Sequence, residues 1–234
     1  MNRLQPELDR LYPRADGAAP DSVRTLVLEV VQPAGWAVLS KAWQGVQSEL
    51  ELPAPAIAVS GTDGLQLWFS LQTPIPTRQA HAFLESLRSR YLADVAPARV
   101  RLTPDPAVPT RQAAIVPALQ EPTGNWSAFV APDLAAVFSD TPWLDVEPGE
   151  EGQAALLRGL QAMKPAAFEA AVARLAADER RAQPASPLAA ASTPAANESG
   201  AEARRFLLRV MNDETVALAL RIEAAKALLP DADD

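Results

Sequence analysis

The sequence has no cysteine, and its single histidine is His81. The first absence excludes disulfide bonds, thiolate catalysis and cysteine-ligated metals, and the second excludes multi-histidine metal sites and argues against a Ser-His-Asp triad. No run of about 18 apolar residues is present, so no transmembrane helix is expected. The first residues, MNRLQPELDRLYPRADG, lack the apolar stretch of a signal peptide. These absences predict a cytoplasmic protein with no cofactor, no metal site and no membrane partner.

A chain of 234 residues with 48% hydrophobic content can bury one good core and a small appendage. Its net charge of −8 argues against a protein that binds nucleic acid over its whole surface. Six arginines lie between Arg78 and Arg111, whereas residues 133–151 carry six acids and no cation. This pattern favours an ordinary solvated surface on which the basic and the acidic stretch attract each other. The alternative is a local basic face.

Hydrophobic periodicity predicts strands and helices in a definite order over the first half of the chain. Strands are predicted at 24–32, 57–60, 65–71 and 99–102, with helices at 36–50 and from an N-capping Thr77 to about residue 92. The order strand, helix, strand, strand, helix, strand is the split βαβ pattern. The predicted fold class is therefore α+β, with a ferredoxin-like (RRM-like) sheet and extra C-terminal helices.

Alternation along these strands predicts which residues share a face. The residues expected to pack under the two helices are Leu26, Leu28, Val30, Leu65, Leu67, Phe69, Val100 and Leu102. The residues expected on the other face, which this topology leaves open, are Thr25, Val27, Glu29, Val31, Gln66, Trp68, Ser70, Arg99 and Arg101. That face is either a binding platform or a surface covered by later elements, and a segment around Trp126 is the favoured cover for Trp68.

The second half of the chain predicts further elements and two boundaries. A short strand is expected at 113–117, a turn into another strand at 123–129, and helices at 132–138, from 150 and at 164–181. Residues 182–200 are rich in Ala, Pro and Ser and predict a flexible linker between a domain at 1–181 and a helix pair at 201–234. A 34-residue helix pair is too small to be stable alone, so docking on the domain, on a second copy or on a partner is expected.

The stretch LVLEVV, a Trp-containing helix, AVSGTDGLQLWFSL and the helix starting PTRQAHAFLESL together resemble the catalytic core of archaeo-eukaryotic-type primases and primase-polymerases. The resemblance spans about 23–129, and TGNWSAFVAPDL is similar to a Gly-Asn element after that core. It implies that nucleotide-binding residues lie on the first strand, the Ser-Gly turn and the strand after it. The candidate binding residues are Glu29, Ser60, Gly61, Gly64, Gln66, Trp68, Arg99, Arg101 and Asn125.

The chain also departs from that family pattern. Val31 stands where a second acid of the first strand is expected, Gln66 stands where a histidine is expected, and the nearest third acid is Asp105 in a predicted loop. Two-metal nucleotidyl transfer needs several carboxylates to hold its cations. The site is therefore interpreted as degenerate, with no catalytic residue. For Glu29, an ion pair with Arg99 or Arg101 across the sheet is favoured over a ligand role.

Three functional hypotheses follow from the sequence. The first is a non-catalytic primase-polymerase-like module that binds a nucleic acid or nucleotide, or serves assembly in a DNA-related system. The second is a protein-interaction or oligomerisation module without a nucleotide role, acting through 201–234. The third is a divergent nucleotidyltransferase with a displaced metal site. Burial of Gln66, Trp68 and Arg101 by later helices would remove the basis for ligand binding on the second face.

Overall fold

The computed structural model describes residues 3–13, 21–33, 35–107 and 113–182. Within these ranges the chain is mixed α+β, as predicted. The helices are α1 (Leu4–Leu11), α2 (Trp36–Ser48), α3 (Thr77–Tyr91), α4 (Glu150–Arg158) and α5 (Pro165–Ala182), with short 3-10 turns at Pro97–Arg99 and Ala135–Phe138. The strands are β1 (Ser22–Val31), β2 (Ala56–Val59), β3 (Gly64–Pro76), β4 (Val100–Thr103), β5 (Ala118–Gln120) and β6 (Asn125–Val130).

The six strands form one sheet in the order β4-β1-β3-β2-β6-β5, and every neighbouring pair is antiparallel. The predicted order of elements from the first strand to the fourth is present. Strands β6 and β5 extend the sheet beyond β2. One cross-strand row of register partners runs from edge towards edge through Arg101, Glu29, Gln66, Ala58 and Phe129.

One face of the sheet, here called the first face, packs against α2, α3 and α5. All eight residues predicted to lie under the helices belong to this core, with Val100 and Leu102 only partly buried. Aromatic rings connect the layers, since Phe83 of α3 lies 6.1 Å from Phe69 of β3 and 5.0 Å from Phe168 of α5, centroid to centroid. The assignment of these side chains to the first face by alternation is therefore correct.

The opposite face, here called the second face, is covered by α1 and α4. Their residues Leu4, Leu11, Ala154 and Leu157 are buried in a separate apolar cluster with Trp68. Helix α1 was not predicted, although Leu4, Leu8 and Leu11 recur at helical spacing. Its Pro6 lies in the first turn, where the missing N–H costs no intrahelical hydrogen bond.

Gln153 attaches α4 to the sheet through its buried side-chain amide. The amide oxygen accepts the Phe129 N–H at 2.7 Å, and the amide nitrogen donates to the Phe129 carbonyl at 2.9 Å. Strand β5 begins its pairing with β6 at Ser127, so Phe129 lies beyond the end of that ladder. The glutamine thus replaces a missing strand and satisfies a backbone pair that burial would otherwise leave unpaired.

Three local predictions were wrong. Thr77 is the first helical residue rather than the cap: Pro76 occupies the cap position, and the Thr77 hydroxyl donates to the Asp21 carbonyl at 3.0 Å. The strand predicted at 113–117 begins only at Ala118, because Pro117 has no N–H for a ladder. The helix predicted at 132–138 is a short 3-10 turn, closed by bonds such as Val137 N–H to the Leu134 carbonyl.

The predicted linker at 182–200 and the helix pair at 201–234 lie outside the described residues, apart from Ala182 at the end of α5. Both stay predictions. In the part of the chain that is described, no helix has the length and apolar character needed to cross a membrane.

Candidate functional site

The turn between β2 and β3 is closed by the Ser60 side chain. Its Oγ accepts the N–H groups of Thr62 and Asp63, each at 3.1 Å, and that of Gly64 at 2.9 Å. The Ser60 N–H donates to the Gly64 carbonyl at 2.9 Å. Three backbone donors therefore converge on one hydroxyl, which stabilises the turn and leaves this oxygen poorly placed to accept from a ligand.

Both glycines of this turn are required by their surroundings. Gly61 has φ +80°, and a Cβ there would lie 2.8 Å from the Ser127 backbone nitrogen. The Gly61 N–H donates to the Pro142 carbonyl at 3.0 Å, which fixes the turn against a later loop. A Cβ at Gly64 would overlap the carboxylate of Glu29. The absent side chain of Gly64 is what gives Glu29 its space.

Glu29, Arg101 and Asp63 form an ionic cluster beside the turn. Both oxygens of Asp63 accept from the Arg101 guanidinium at 2.9 Å, a bidentate pair, and Arg101 Nη1 lies 3.6 Å from Glu29 Oε1. The prediction that Glu29 pairs with an arginine across the sheet is confirmed for Arg101. The Glu29 side chain is 12% exposed, whereas those of Arg101 and Asp63 are 42% and 44% exposed. The Arg101 guanidinium thus interacts with two carboxylates, and the buried one, that of Glu29, is farther from it than that of Asp63.

The electrostatics of the two carboxylates differ because their burial differs. Burial raises the pKa of Glu29, opposed by the Arg101 charge and by a hydrogen bond from Gln66. The hydrogen bonds from Arg101 hold the pKa of Asp63 below its usual range. The same contacts raise the pKa of the Arg101 guanidinium.

Gln66 connects this ionic cluster to the aromatic part of the second face. Its Oε1 accepts from Trp68 Nε1 at 2.8 Å, and Gln66 is the register partner of Glu29 on the neighbouring strand. Trp68 is only 4% exposed and contacts Tyr12 and Phe129, with ring centroids 5.3 and 5.8 Å away. Continuous contacts thus run from Asp63 through Arg101, Glu29 and Gln66 to Trp68.

The second face is therefore not an open platform where Trp68 lies. Tyr12 follows α1 directly, and burial raises the pKa of its phenol. Ser70, on the same face, donates its hydroxyl proton to the Leu11 carbonyl at 2.7 Å. The covered alternative is correct for Trp68. Phe129 belongs to the predicted segment around Trp126, whereas the contact with Tyr12 was not predicted.

Two candidate residues, Arg99 and Asn125, lie outside both the Ser60–Gly64 turn and the contacts that run from Asp63 to Trp68. Arg99 precedes β4, and its Nη2 is 3.4 Å from the Val31 carbonyl while its buried Nε has no hydrogen-bond partner among the described residues. Asn125 begins β6, and its N–H donates to Thr123 Oγ1 at 3.3 Å. Thr123 also donates to the Gly61 carbonyl at 3.3 Å, so this second turn contacts the first.

Asp63 is the site residue that sequence reasoning missed. It was treated only as part of the turn, although its position directly before Gly64 places it beside whatever Gly64 accommodates. Two other arginines of the basic stretch, Arg88 and Arg90, also form ion pairs within the protein. Arg88 pairs with Glu85, and Arg90 pairs with Glu49 and Asp178. The partners of these arginines therefore lie outside the acidic stretch at 133–151, which was expected to attract the basic stretch.

The cluster has little capacity for metal chemistry as it is arranged. Across residues 3–182, excluding the undescribed gaps, no group of three or more histidine and acidic side chains could hold a metal ion. Glu29 and Asp63 are two carboxylates, and Arg101 already lies between them. A divalent cation at that position would have to displace the guanidinium or be repelled by it.

Comparison with known proteins leaves the family open. No protein-family model matches the chain, and no curated protein matches it. Among solved structures, the AEP domain (PP-N190) of the cyanophage S-2L primase-polymerase matches with 15% identity and a TM-score of 0.28. The match covers 58% of this chain and 61% of that domain.

Proposed function

We propose that the described chain is a non-catalytic, primase-polymerase-like module with a ferredoxin-like, split βαβ core. The strand order β4-β1-β3-β2, with α2 and α3 on one face, supports the ferredoxin-like assignment. The Ser60–Gly64 turn and the position of Glu29 on the central strand β1 support the primase-polymerase-like assignment. A cytoplasmic location stays a prediction from the sequence.

The single observation that carries the non-catalytic assignment is the position of Arg101. Nucleotidyl transfer by two metal ions needs carboxylates free to hold hard cations. In this chain the two carboxylates beside the turn are both contacted by one guanidinium, which supplies positive charge without Lewis acidity. The neutral amide of Gln66 accepts a hydrogen bond from Trp68 through its oxygen.

The proposed ligand is a nucleotide or single-stranded nucleic acid, bound through its phosphates at the β4 edge. Base stacking on Trp68 is not part of the proposal, because that ring is buried. Arg101 keeps 42% of its side chain exposed, and Arg99, which is only partly buried, directly precedes β4 on the same edge. Phosphate oxygens can exchange with the Asp63 carboxylate on an arginine because both accept bidentate hydrogen bonds.

The test is the salt dependence of binding to a fluorescein-labelled single-stranded oligonucleotide, followed by anisotropy. The Arg99→Ala/Arg101→Ala double variant is expected to bind more weakly, with the slope of log K against log salt reduced by about 0.7 for each lost contact. Arg158→Ala, an exposed arginine on α4, is the matched control. Equal binding by the double variant and the wild type at every salt concentration would move the ligand away from this edge.

A protein-interaction or oligomerisation module is the second candidate. It is favoured by large apolar side chains that stay about half exposed or more on β5, in the 3-10 turn at Ala135–Phe138 and in loops: Ile115, Leu119, Leu134, Val137 and Val146. Light scattering of the full chain across protein concentration separates the two. A concentration-dependent mass with no oligonucleotide binding would favour this candidate.

The third candidate, a divergent nucleotidyltransferase, makes a different prediction. Labelled nucleotide would be incorporated into a primer in the presence of Mn²⁺, and Glu29→Ala would abolish that incorporation. The proposal expects no incorporation by either protein.

A further inference from the structure

A cleft of about 560 Å³ lies between the 51–54 loop and the 159–162 loop, at the entry to α5. Its volume is in the range typical of ligand sites. The segment that forms one wall of the cleft pairs with Leu71 of β3. Leu71 is seven residues along β3 from Gly64, the end of the Ser60–Gly64 turn, which corresponds to about 23 Å, so the cleft is separate from the site described above. The inference that follows goes beyond the proposed function and does not depend on it.

One wall of the cleft is the backbone segment before α5, which pairs with β3 at a single residue. Met163 forms a parallel bridge with Leu71: its N–H donates to the Ser70 carbonyl at 2.8 Å, and its carbonyl accepts the Gln72 N–H at 2.9 Å. Both polar backbone groups of Met163 therefore point towards β3. By alternation, the N–H and carbonyl of the preceding residue, Ala162, point the other way.

Ala162 lines the cleft, and within the described ranges its backbone N–H and carbonyl have no hydrogen-bond partner. The segment thus pairs with β3 through Met163 on one side, and its other side, at Ala162, is an edge that pairs with no described residue. An unpaired edge of this kind is the surface to which an extended chain can add as a further strand.

The other walls set the chemistry of the occupant. Leu52, Leu160 and Ala167 give the cleft an apolar lining. The Glu51 carboxylate is already neutralised by Arg174, with N to O distance 2.9 Å. Lys164 is exposed and makes no ion pair with any described residue. Among the described residues, the charge left uncompensated in the cleft is therefore the one positive charge of Lys164.

We propose that this cleft binds an extended peptide segment of a partner protein, which pairs with the backbone of Ala162 and places a carboxylate against Lys164. The backbone pair would provide affinity without sequence preference. The lysine and the apolar lining would select an acidic residue next to small aliphatic ones.

The test is selection of a phage-displayed random heptapeptide library on the full chain, followed by anisotropy with a labelled synthetic copy of the enriched peptide. We expect enrichment of peptides with Asp or Glu beside aliphatic residues. Lys164→Glu is expected to weaken binding of the synthetic peptide tenfold or more. Lys41→Glu, an exposed lysine on α2 outside the cleft, is the matched control and should leave affinity unchanged.

Backbone pairing is tested from both sides. Ala162→Pro removes the N–H, and N-methylation of each amide of the synthetic peptide in turn removes its donors without altering the protein. We expect loss of binding by Ala162→Pro and by at least one methylated peptide. Failure to enrich any peptide, or binding that is indifferent to both Lys164→Glu and peptide N-methylation, would overturn the proposal.

Discussion

The two faces of the sheet are both buried at their centres, but in different ways. The first face is apolar throughout and packs against three helices. The second face carries Glu29, Gln66 and Ser70 among its apolar residues, and each of these polar side chains has a partner. Polar residues on a strand therefore did not mark an open surface here, because burial is tolerated when hydrogen bonds are retained.

The two faces should also respond differently to mutation. On the first face stability depends on contact between apolar groups, so the cost of a change follows the volume removed. On the second face it depends on satisfied polar groups, so the cost should depend on which partner is left unpaired and on pH.

The largest expected effect is on the first face. Phe69→Ala should lower the free energy of unfolding by about 3–5 kcal/mol, because Phe69 is 1% exposed and its ring contacts Phe83. Leu119→Ala, at a residue 47% exposed on β5, is the control and should change it by less than about 0.5 kcal/mol. Urea denaturation measures both. A Phe69→Ala cost as small as the control would show that the first face is loosely packed.

The next effect tests the fit between the turn and the ionic cluster. Gly64→Ala should cost about 1–3 kcal/mol, because the new Cβ would overlap the Glu29 carboxylate. In a Glu29→Ala background the same substitution should cost much less, since the overlapping atoms are gone. Thermal or urea unfolding of the four proteins gives this coupling. Equal costs in both backgrounds would mean that Gly64 is required for another reason.

A smaller effect, of about 1 kcal/mol at about pH 7, is expected for Arg101→Met, because the arginine is partly exposed. Burial places the folded-state pKa of Glu29 above its unfolded value, so ionised Glu29 costs stability as pH rises through that range. Loss of Arg101 increases that cost. Asp63 has a lowered pKa because of Arg101, and its contribution is lost as pH falls.

Both carboxylates thus predict the same direction for the pH dependence of the Arg101→Met effect. The loss in the free energy of unfolding should be largest near neutral pH and should shrink on acidification to about pH 3. Urea unfolding over that pH range measures the difference from wild type. Arg158→Met on α4 is the control, and its effect should not vary with pH. A destabilisation by Arg101→Met that is independent of pH would show that packing of its alkyl chain, rather than its charge, is what matters.

The smallest expected effect on stability is deletion of residues 183–234. We expect an almost unchanged melting temperature for the remaining domain, because every residue of the two described apolar clusters lies before the end of α5 at Ala182. Light scattering should show a change in oligomeric state. A shortened chain that unfolds or aggregates would place the predicted helix pair in the core.

The sequence was sufficient for features that depend on local pattern. Alternation placed Leu26, Leu28 and Phe69 on the first face, and helical spacing found α2 and α3. It was insufficient for contacts between distant residues. Tyr12 and Trp68 are 56 positions apart, and Asp63 and Arg101 are 38 apart. No periodicity connects such pairs, so both the cover of Trp68 and the part of Asp63 in the cluster needed the tertiary structure.

The central claim is that Arg101 takes the place that a divalent cation would need between Glu29 and Asp63. Titration of the full chain with Mn²⁺, followed by electron paramagnetic resonance of the unbound ion, tests it most directly. The account predicts no binding to the wild type at millimolar Mn²⁺ and no difference between the wild type and Glu29→Gln. Binding of Mn²⁺ by the wild type that is lost in Glu29→Gln would contradict it, because Glu29 would then be a metal ligand.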